Sequence, residues 1–260
     1  VRQSTMTPRQ DTILALTRQH GKVLVEALSD LLSTTPQTIR KDLRALEAAG
    51  HVTRFHGGAS LRATSAYLAY DLRASLAAEA KSAIGAAAAE ALPHGATVFV
   101  NAGTTTEAAA RALAGDKRLT LIADSVNIAN ITRQIPGIET IVTGGQVRAA
   151  DGAVVGAAAV GFLDQFRADV ALIGAAAIAL DGTLMDFDLD EALVARAMIR
   201  NAAQTFLLAD ESKFDRAAPV RIGSLTDTAT LITDRCPHAA VRTLCARAQT
   251  RLIETHPSGA

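Results

Sequence analysis

Thr35-Pro36-Gln37-Thr38-Ile39-Arg40-Lys41-Asp42-Leu43 decides how this chain is read. Threonine caps helices, proline suits a first helical turn, and Gly50 stands where a helix begun at Thr35 would close. Ile39, Leu43 and Leu46 recur at helical spacing and make one dry face. Gln37, Thr38, Arg40, Lys41 and Arg44 lie off that face. A helix that is apolar on one side and basic near its start on the other has the make-up of one that enters a DNA major groove. A solvated basic face is the alternative, and the segments around the helix decide against it.

Residues 8–20 read as a first helix with Ile13, Leu14 and Leu16 available for packing, and 25–32 as a second. After the third helix, His51-Val52-Thr53-Arg54-Phe55 alternates like a strand and ends at Gly57-Gly58. Three helices, a short strand and glycines predict a winged helix-turn-helix over 1–58. Thr35 and Arg54 are expected to hold DNA phosphates. His56 either does the same or packs in the turn. Residues 59–75 read as a linker.

The chain has 260 residues, 49% of them hydrophobic, which is more than a lone DNA-binding module needs. Net charge is +0, with a basic excess in the first 60 residues and an acidic one in the rest. Cys236 and Cys245 fit no zinc or redox spacing. The apolar runs are too short to span a bilayer and no signal-peptide pattern is present, so a cytoplasmic protein with reduced thiols is expected.

From about Lys81 onward, alanine-rich helical stretches alternate with short apolar runs at 96–100, 119–123, 140–143, 169–173, 205–209 and 230–233. This predicts an α/β domain over 76–260 with a mainly parallel sheet covered on both faces. In such sheets ligands sit beyond the carboxyl ends of the strands. The polar residues are there: Asn101-Ala102-Gly103-Thr104-Thr105-Thr106, Asp124-Ser125-Val126-Asn127, Gly144-Gly145, Gly174 and Asp210-Glu211-Ser212-Lys213. Glycine and threonine at a helix start suit a phosphate, which gains amide hydrogen bonds and a favourable dipole; the same residues also serve simple capping. Lys213 is a candidate phosphate cation, or an exposed turn lysine. Asp186, Asp188, Asp190 and Glu191 suit sugar or polyol hydroxyls, acid–base work, or a solvated helix start. No metal-ligand spacing, Walker loop, dinucleotide fingerprint or nucleophile elbow is present, so neither metal nor cofactor is expected.

The assembled pattern resembles the DeoR family of bacterial transcription regulators. The N-terminal resemblance runs over 8–60, through Thr35–Leu43, Leu46-Glu47, Gly50, Arg54 and His56-Gly57-Gly58-Ala59. The C-terminal one runs over about 75–235, through Lys81, Ala102-Gly103-Thr104-Thr105, Gly144-Gly145, Gly156, Asp169, Gly174, Glu191 and Asp210 with Ser212-Lys213-Phe214. Asp151-Gly152, Asp181-Gly182-Thr183-Leu184 and Phe187-Asp188 add a likeness to members that respond to glycerol 3-phosphate.

The resemblance implies a sensor domain similar to ribose-5-phosphate isomerase and the coenzyme A transferases. It implies a repressor released from its double-stranded operator by a phosphorylated sugar or polyol, with glycerol 3-phosphate foremost, working as a homo-oligomer (dimer or tetramer). Lys81, Asn101, Gly103, Thr104, Thr105, Thr106, Ser125, Asn127, Gly144, Gly145, Asp186, Glu191 and Lys213 are then the effector candidates. The chain departs from the family pattern at Asn101, where Asp is usual, at Ala123-Asp124, where Thr-Asn is usual, and at Leu24, where a polar helix cap is usual. The rival reading is a sugar-phosphate isomerase with an accessory DNA-binding domain.

Overall fold

The computed structural model describes residues 6–20, 22–55, 57–61, 70–115, 117–214 and 216–255. The chain divides into two compact units, Val1–Ala69 and Tyr70–Ala260.

The first unit comprises α1 (Pro8–His20), β1 (Lys22–Leu24), α2 (Val25–Leu31), α3 (Pro36–Ala48), β2 (Val52–Phe55) and β3 (Gly58–Leu61). The strands form an antiparallel sheet in the order β1-β3-β2. Ile39, Leu43 and Leu46 of α3 pack with Ile13, Leu14, Leu28, Val52 and Ala59 in one core. Each of the leucine, isoleucine and valine side chains contributes about 1.5–3 kcal/mol of burial. Asp42 is buried as well, because Arg9 Nε (2.6 Å) and Gln10 Nε2 (3.2 Å) reach it from α1. Gly50 closes α3 with φ +80°, a left-handed conformation that suits glycine. β1 was not foreseen; three residues are too few for a period to show. β3 carries Ala59 into this core, so 59–61, read from sequence as linker, are strand.

The second unit opens with α4 (Tyr70–Ser75), also inside the stretch read as linker, and α5 (Ala78–Ala91). There follow β4 (Thr97–Val100), α6 (Thr104–Ala112), β5 (Thr120–Ala123), α7 (Val126–Thr132), β6 (Glu139–Val142), β7 (Gln146–Val147) and β8 (Val154–Val155). Next come α8 (Ala157–Leu163), β9 (Ala168–Gly174), β10 (Ala177–Ile178), β11 (Thr183–Asp186), α9 (Leu189–Asn201) and β12 (Ala202–Leu208). The unit ends with β13 (Val220–Ser224), β14 (Thr230–Thr233), α10 (Ala239–Ala248) and β15 (Arg251–Glu254).

Seven strands form one fully parallel sheet in the order β15-β14-β12-β9-β4-β5-β6. All six apolar runs named above are in it; β15 is the addition, an edge strand whose half-exposed side chains leave only a weak pattern. Successive side chains point to opposite faces. Val98, Val100, Leu121, Leu172 and Ile232 meet α5, α6 and α7 through Ile84, Ala88, Ala109 and Ile128. Phe99, Ile122, Ala171, Leu207 and Leu231 meet α8, α9 and α10 through Leu163, Ala195, Met198 and Val241. Double coverage explains why these strands read as continuous apolar runs. The alanines of α5 and α6 allow close helix packing, and at Gly85 a Cβ would lie 2.5 Å from the backbone of Ala108. Two small antiparallel sheets, β7-β8 and β10-β11-β13, sit outside the main one.

The chain enters the sheet at β4, runs outward through β5 and β6, then returns to the other side of β4 at β9. The strand order therefore reverses between β4 and β9, which places a crevice at their carboxyl ends.

Candidate functional site

On α3, the Thr35 hydroxyl accepts from Thr38 N (3.2 Å) and lies 2.9 Å from the Thr38 hydroxyl. The cap starts the helix and orients Thr38. Gln37, Arg40, Lys41 and Arg44 are exposed and Thr38 is partly so, while the core face is fully buried. Arg54 is not a lone cation: its Nε and backbone N bind both oxygens of Glu47 at 2.9 and 3.1 Å, joining β2 to α3. Leu24 gives α2 no side-chain cap; instead Val25 N donates to Gly57 O at 2.9 Å, so the wing turn serves the helix start. His56 lies outside the described residues.

The crevice of the second unit is built around α6. Its N-cap, Gly103, has no side-chain bond to the first-turn amides, whereas Ser125 caps α7 through Ile128 N (3.3 Å) and Asp188 caps α9 through Glu191 N (3.0 Å). Thr104 is partly exposed and Thr105 is buried. The Thr106 hydroxyl donates to Asn101 O (2.6 Å), with Gly103 O also in reach (2.8 Å), so this threonine holds the turn. Asn101 Oδ1 accepts from Gly174 N, joining the two sides of the switch point. A cavity of about 300 Å³ between α4, α5 and the length of α6 is lined by Ala74, Lys81, Thr104, Glu107 and Arg111.

Four cations of this unit, Arg73, Lys81, Lys213 and Arg216, lie within electrostatic reach of one another, and Lys81 among them lines the cavity. Lys213 stands in a 3-10 turn capped by Asp210, whose Oδ1 accepts from Ser212 N at 3.1 Å. Burial pushes the Lys213 ammonium down to about 8; Asp210 draws it back up, and Arg216, Lys81 and Arg73 push it down further. The Lys81 ammonium lies below its ordinary range, through burial first, with Arg73 and Arg216 adding to the shift against Asp210 and Glu107. Burial also lowers Arg216, opposed by Asp210. Lys81 is buried and the other three are partly so, and cations that disfavour one another's charge in such a place suit an anion. Of these four, Lys81 and Lys213 are among the effector candidates named from the sequence, and Arg73 and Arg216 are not.

An acidic arc continues from this cluster. Arg148 binds Asp151 through Nε (2.9 Å) and Nη2 (2.7 Å), also binds Glu191, and lies 3.6 Å from Asp188. Asn127 Nδ2 donates to Glu107 Oε1 (3.1 Å) and Asp151 O (3.0 Å). Asp186 Oδ1 accepts from the amides of Phe187 (2.6 Å) and Asp188 (3.3 Å). Asp124 is buried at the end of β5, and its Oδ1 has no hydrogen-bond partner among the described residues. Burial and then Glu191 push the Asp124 carboxyl well above the usual range. Gly144 and Gly145 stay exposed where β6 leads into the β7-β8 hairpin. Among the described residues no three His, Cys, Asp or Glu converge on a metal position, and no helix is long and apolar enough to cross a membrane.

A helix-turn-helix with an exposed basic recognition face, joined to a parallel α/β domain with a cationic rim pocket, defines a sensor-linked DNA-binding regulator. Residues 9–65 match the DeoR-like helix-turn-helix domain and 76–235 the DeoR C terminal sensor domain. The chain belongs to the DeoR family, and is a regulator rather than an enzyme. It is 36% identical to the HTH-type transcriptional repressor CsqR of Escherichia coli (strain K12), over 96% of this chain and 95% of that one. It is 37% identical to the glycerol-3-phosphate regulon repressor of the same strain (90% and 93%) and 38% to that of Haemophilus influenzae (91% and 92%). Among solved structures, ribose 5-phosphate isomerase A of Methanocaldococcus jannaschii matches 53% of this chain and 55% of that one at 19% identity and TM-score 0.39. The eIF2B beta subunit of Chaetomium thermophilum matches 68% and 55% at 17% identity and TM-score 0.46.

Proposed function

We propose that the protein is a transcriptional repressor released from its operator by a phosphorylated sugar or polyol, with glycerol 3-phosphate the foremost candidate. The observation that carries this reading is the gathering of Lys81, Lys213 and Arg216 around Asp210, with Arg73 in electrostatic reach of both lysines, in the unit that also holds the uncapped start of α6. A phosphate dianion relieves the mutual repulsion of those cations and accepts from the first-turn amides of α6, where the helix dipole favours it. Asp186, Asp188 and Glu191 then face the hydroxyls of the carbon skeleton. Three relatives of near-equal similarity carry two different names, so the identity of the skeleton rests on those carboxylates and not on kinship alone.

On α3, Gln37, Thr38, Arg40 and Lys41 read base edges, while its cap Thr35, its Arg44 and Arg54 of β2 hold backbone phosphates. One good bidentate base contact discriminates by about 1–3 kcal/mol, so a single helix is too little for a genome, and a dimer or tetramer on repeated half-sites follows. The test is a thermal-shift series with glycerol 3-phosphate, glycerol and several sugar phosphates. Stabilisation by the ester and not by glycerol is expected. A chain that no phosphate ester stabilises contradicts the pocket.

A further inference from the structure

We propose that Arg73 of α4 is an effector ligand: it leaves Asp151 for the bound phosphate, and α4 moves with it. This rests on the phosphate-site reading above and adds the element that reports occupancy.

α4 is six residues long and is the first described element after Leu61, the last residue of the DNA-binding sheet. Three of its ties run to the rim of the effector pocket. Tyr70 Oη donates to Glu107, a buried carboxylate in the first turn of α6. Arg73 Nη2 donates to Asp151 Oδ2 at 2.9 Å. Lys81 Nζ donates to Arg73 O and, at 2.7 Å, to Leu76 O, so one of the pocket cations holds the end of α4 by its backbone. Ala74 of α4 lines the same cavity as Lys81 and Thr104.

Asp151 is the other end of the exchange. It already takes two hydrogen bonds from Arg148, which also binds Glu191, so it keeps a cation when Arg73 departs. Arg148 and Arg73 together hold its carboxyl below the usual range despite burial. Arg73 acts electrostatically on both Lys81 and Lys213 from its present place, so the phosphate site is within its field. A phosphate dianion offers its guanidinium a stronger bidentate partner than a carboxylate shared with another arginine. Any shift of Arg73 alters the grip of Lys81 on α4 and of Tyr70 on Glu107, and α4 leads back through 62–69 to the DNA-binding unit.

The test uses the full chain, titrated calorimetrically with glycerol 3-phosphate and with inorganic phosphate, and hydrogen exchange of Tyr70–Ser75 with and without each. Arg73→Gln is expected to weaken binding tenfold or more and to abolish the ligand-dependent change in exchange. Asp151→Asn, which removes the competing carboxylate, is expected to bind several-fold more tightly than wild type, a sign that a merely structural role for Arg73 does not produce. If Arg73→Gln does not fold, Asp151→Asn decides alone. Binding that is lost in Lys213→Gln but unchanged in Arg73→Gln and Asp151→Asn upholds the phosphate site and overturns the role of Arg73. If neither probe binds the wild-type chain, the phosphate-site reading fails and this inference falls with it.

Discussion

Asn101 Oδ1 accepts a hydrogen bond from Gly174 N at 2.9 Å, across the point where the sheet reverses its strand order. The carboxamide that follows β4 therefore staples β4 to the end of β9, and it sets the width of the crevice from which Gly103 and Thr104 are presented. Asn101 was expected to touch the effector; its carbonyl oxygen has a structural task first.

Asn101→Ala removes the acceptor and leaves the Gly174 amide without it. A lost bond of this kind costs about 1–3 kcal/mol, and about 2–4 °C of melting temperature per kcal/mol in a domain of this size. Asn101→Asp keeps an acceptor and is expected to melt close to wild type. It also adds negative charge at the rim and so weakens phosphate binding. Equal melting temperatures for Asn101→Ala and wild type would contradict the staple.

Asp124 carries a pH signature. Its carboxyl is raised by burial and by Glu191 from an ordinary 3.8, so the folded chain keeps a proton that the unfolded chain releases. Stability from this group is therefore greatest below the unfolded value and is lost as pH rises through the raised folded one. Asp124→Asn removes that loss. The variant is expected to gain melting temperature over wild type at neutral pH and to show little gain at pH 4; a gain independent of pH would contradict the burial argument.

Lys213 gives a second one. With its ammonium at about 8 in the free protein, among Asp210, Arg216, Lys81 and Arg73, part of the population is neutral near that pH. A phosphate dianion favours the charged form, so binding takes up a proton near pH 8 and affinity declines above it. Calorimetry at pH 8 in buffers of different ionisation enthalpy is expected to show the uptake in wild type and not in Lys213→Gln. Equal uptake in both would assign the proton elsewhere.

The DNA face separates two kinds of contact. Arg40→Ala is expected to lose binding to DNA fragments selected by the wild-type chain while keeping effector binding. Arg54→Ala is expected to weaken all fragments alike and to reduce the salt slope by about 0.9 for the one phosphate lost. An unchanged slope would mean that Arg54 serves Glu47 alone.

The sequence showed most of the framework and about half of the pocket, for physical reasons. α3 and the five inner strands were legible because each buries a set of side chains, Ile39, Leu43 and Leu46 in one case and runs such as Thr97–Val100 in the other. Polar strand ends were legible because each directly follows an apolar run. β1 and β15 were not, one being too short for a period and the other half-exposed. Arg73, Arg148 and Arg216 left no local signal: each stands in an unremarkable stretch, and only folding brings it to Asp151, Glu191 or Asp210. Arg54 was seen as a cation but not as the partner of Glu47, since that pair spans a helix end, a turn and a strand. The loss of a polar cap at Leu24 was legible, but its replacement by Gly57 O was not.

Effector-controlled release is the centre of the account, and fluorescence anisotropy of the full chain on a selected DNA fragment measures it directly. Saturating glycerol 3-phosphate is expected to weaken DNA binding by about 5–150-fold, the range of ordinary allosteric coupling, while glycerol at the same concentration leaves it unchanged. DNA affinity that is the same with the ester, with glycerol and with neither, in a chain shown by calorimetry to bind the ester, would contradict it.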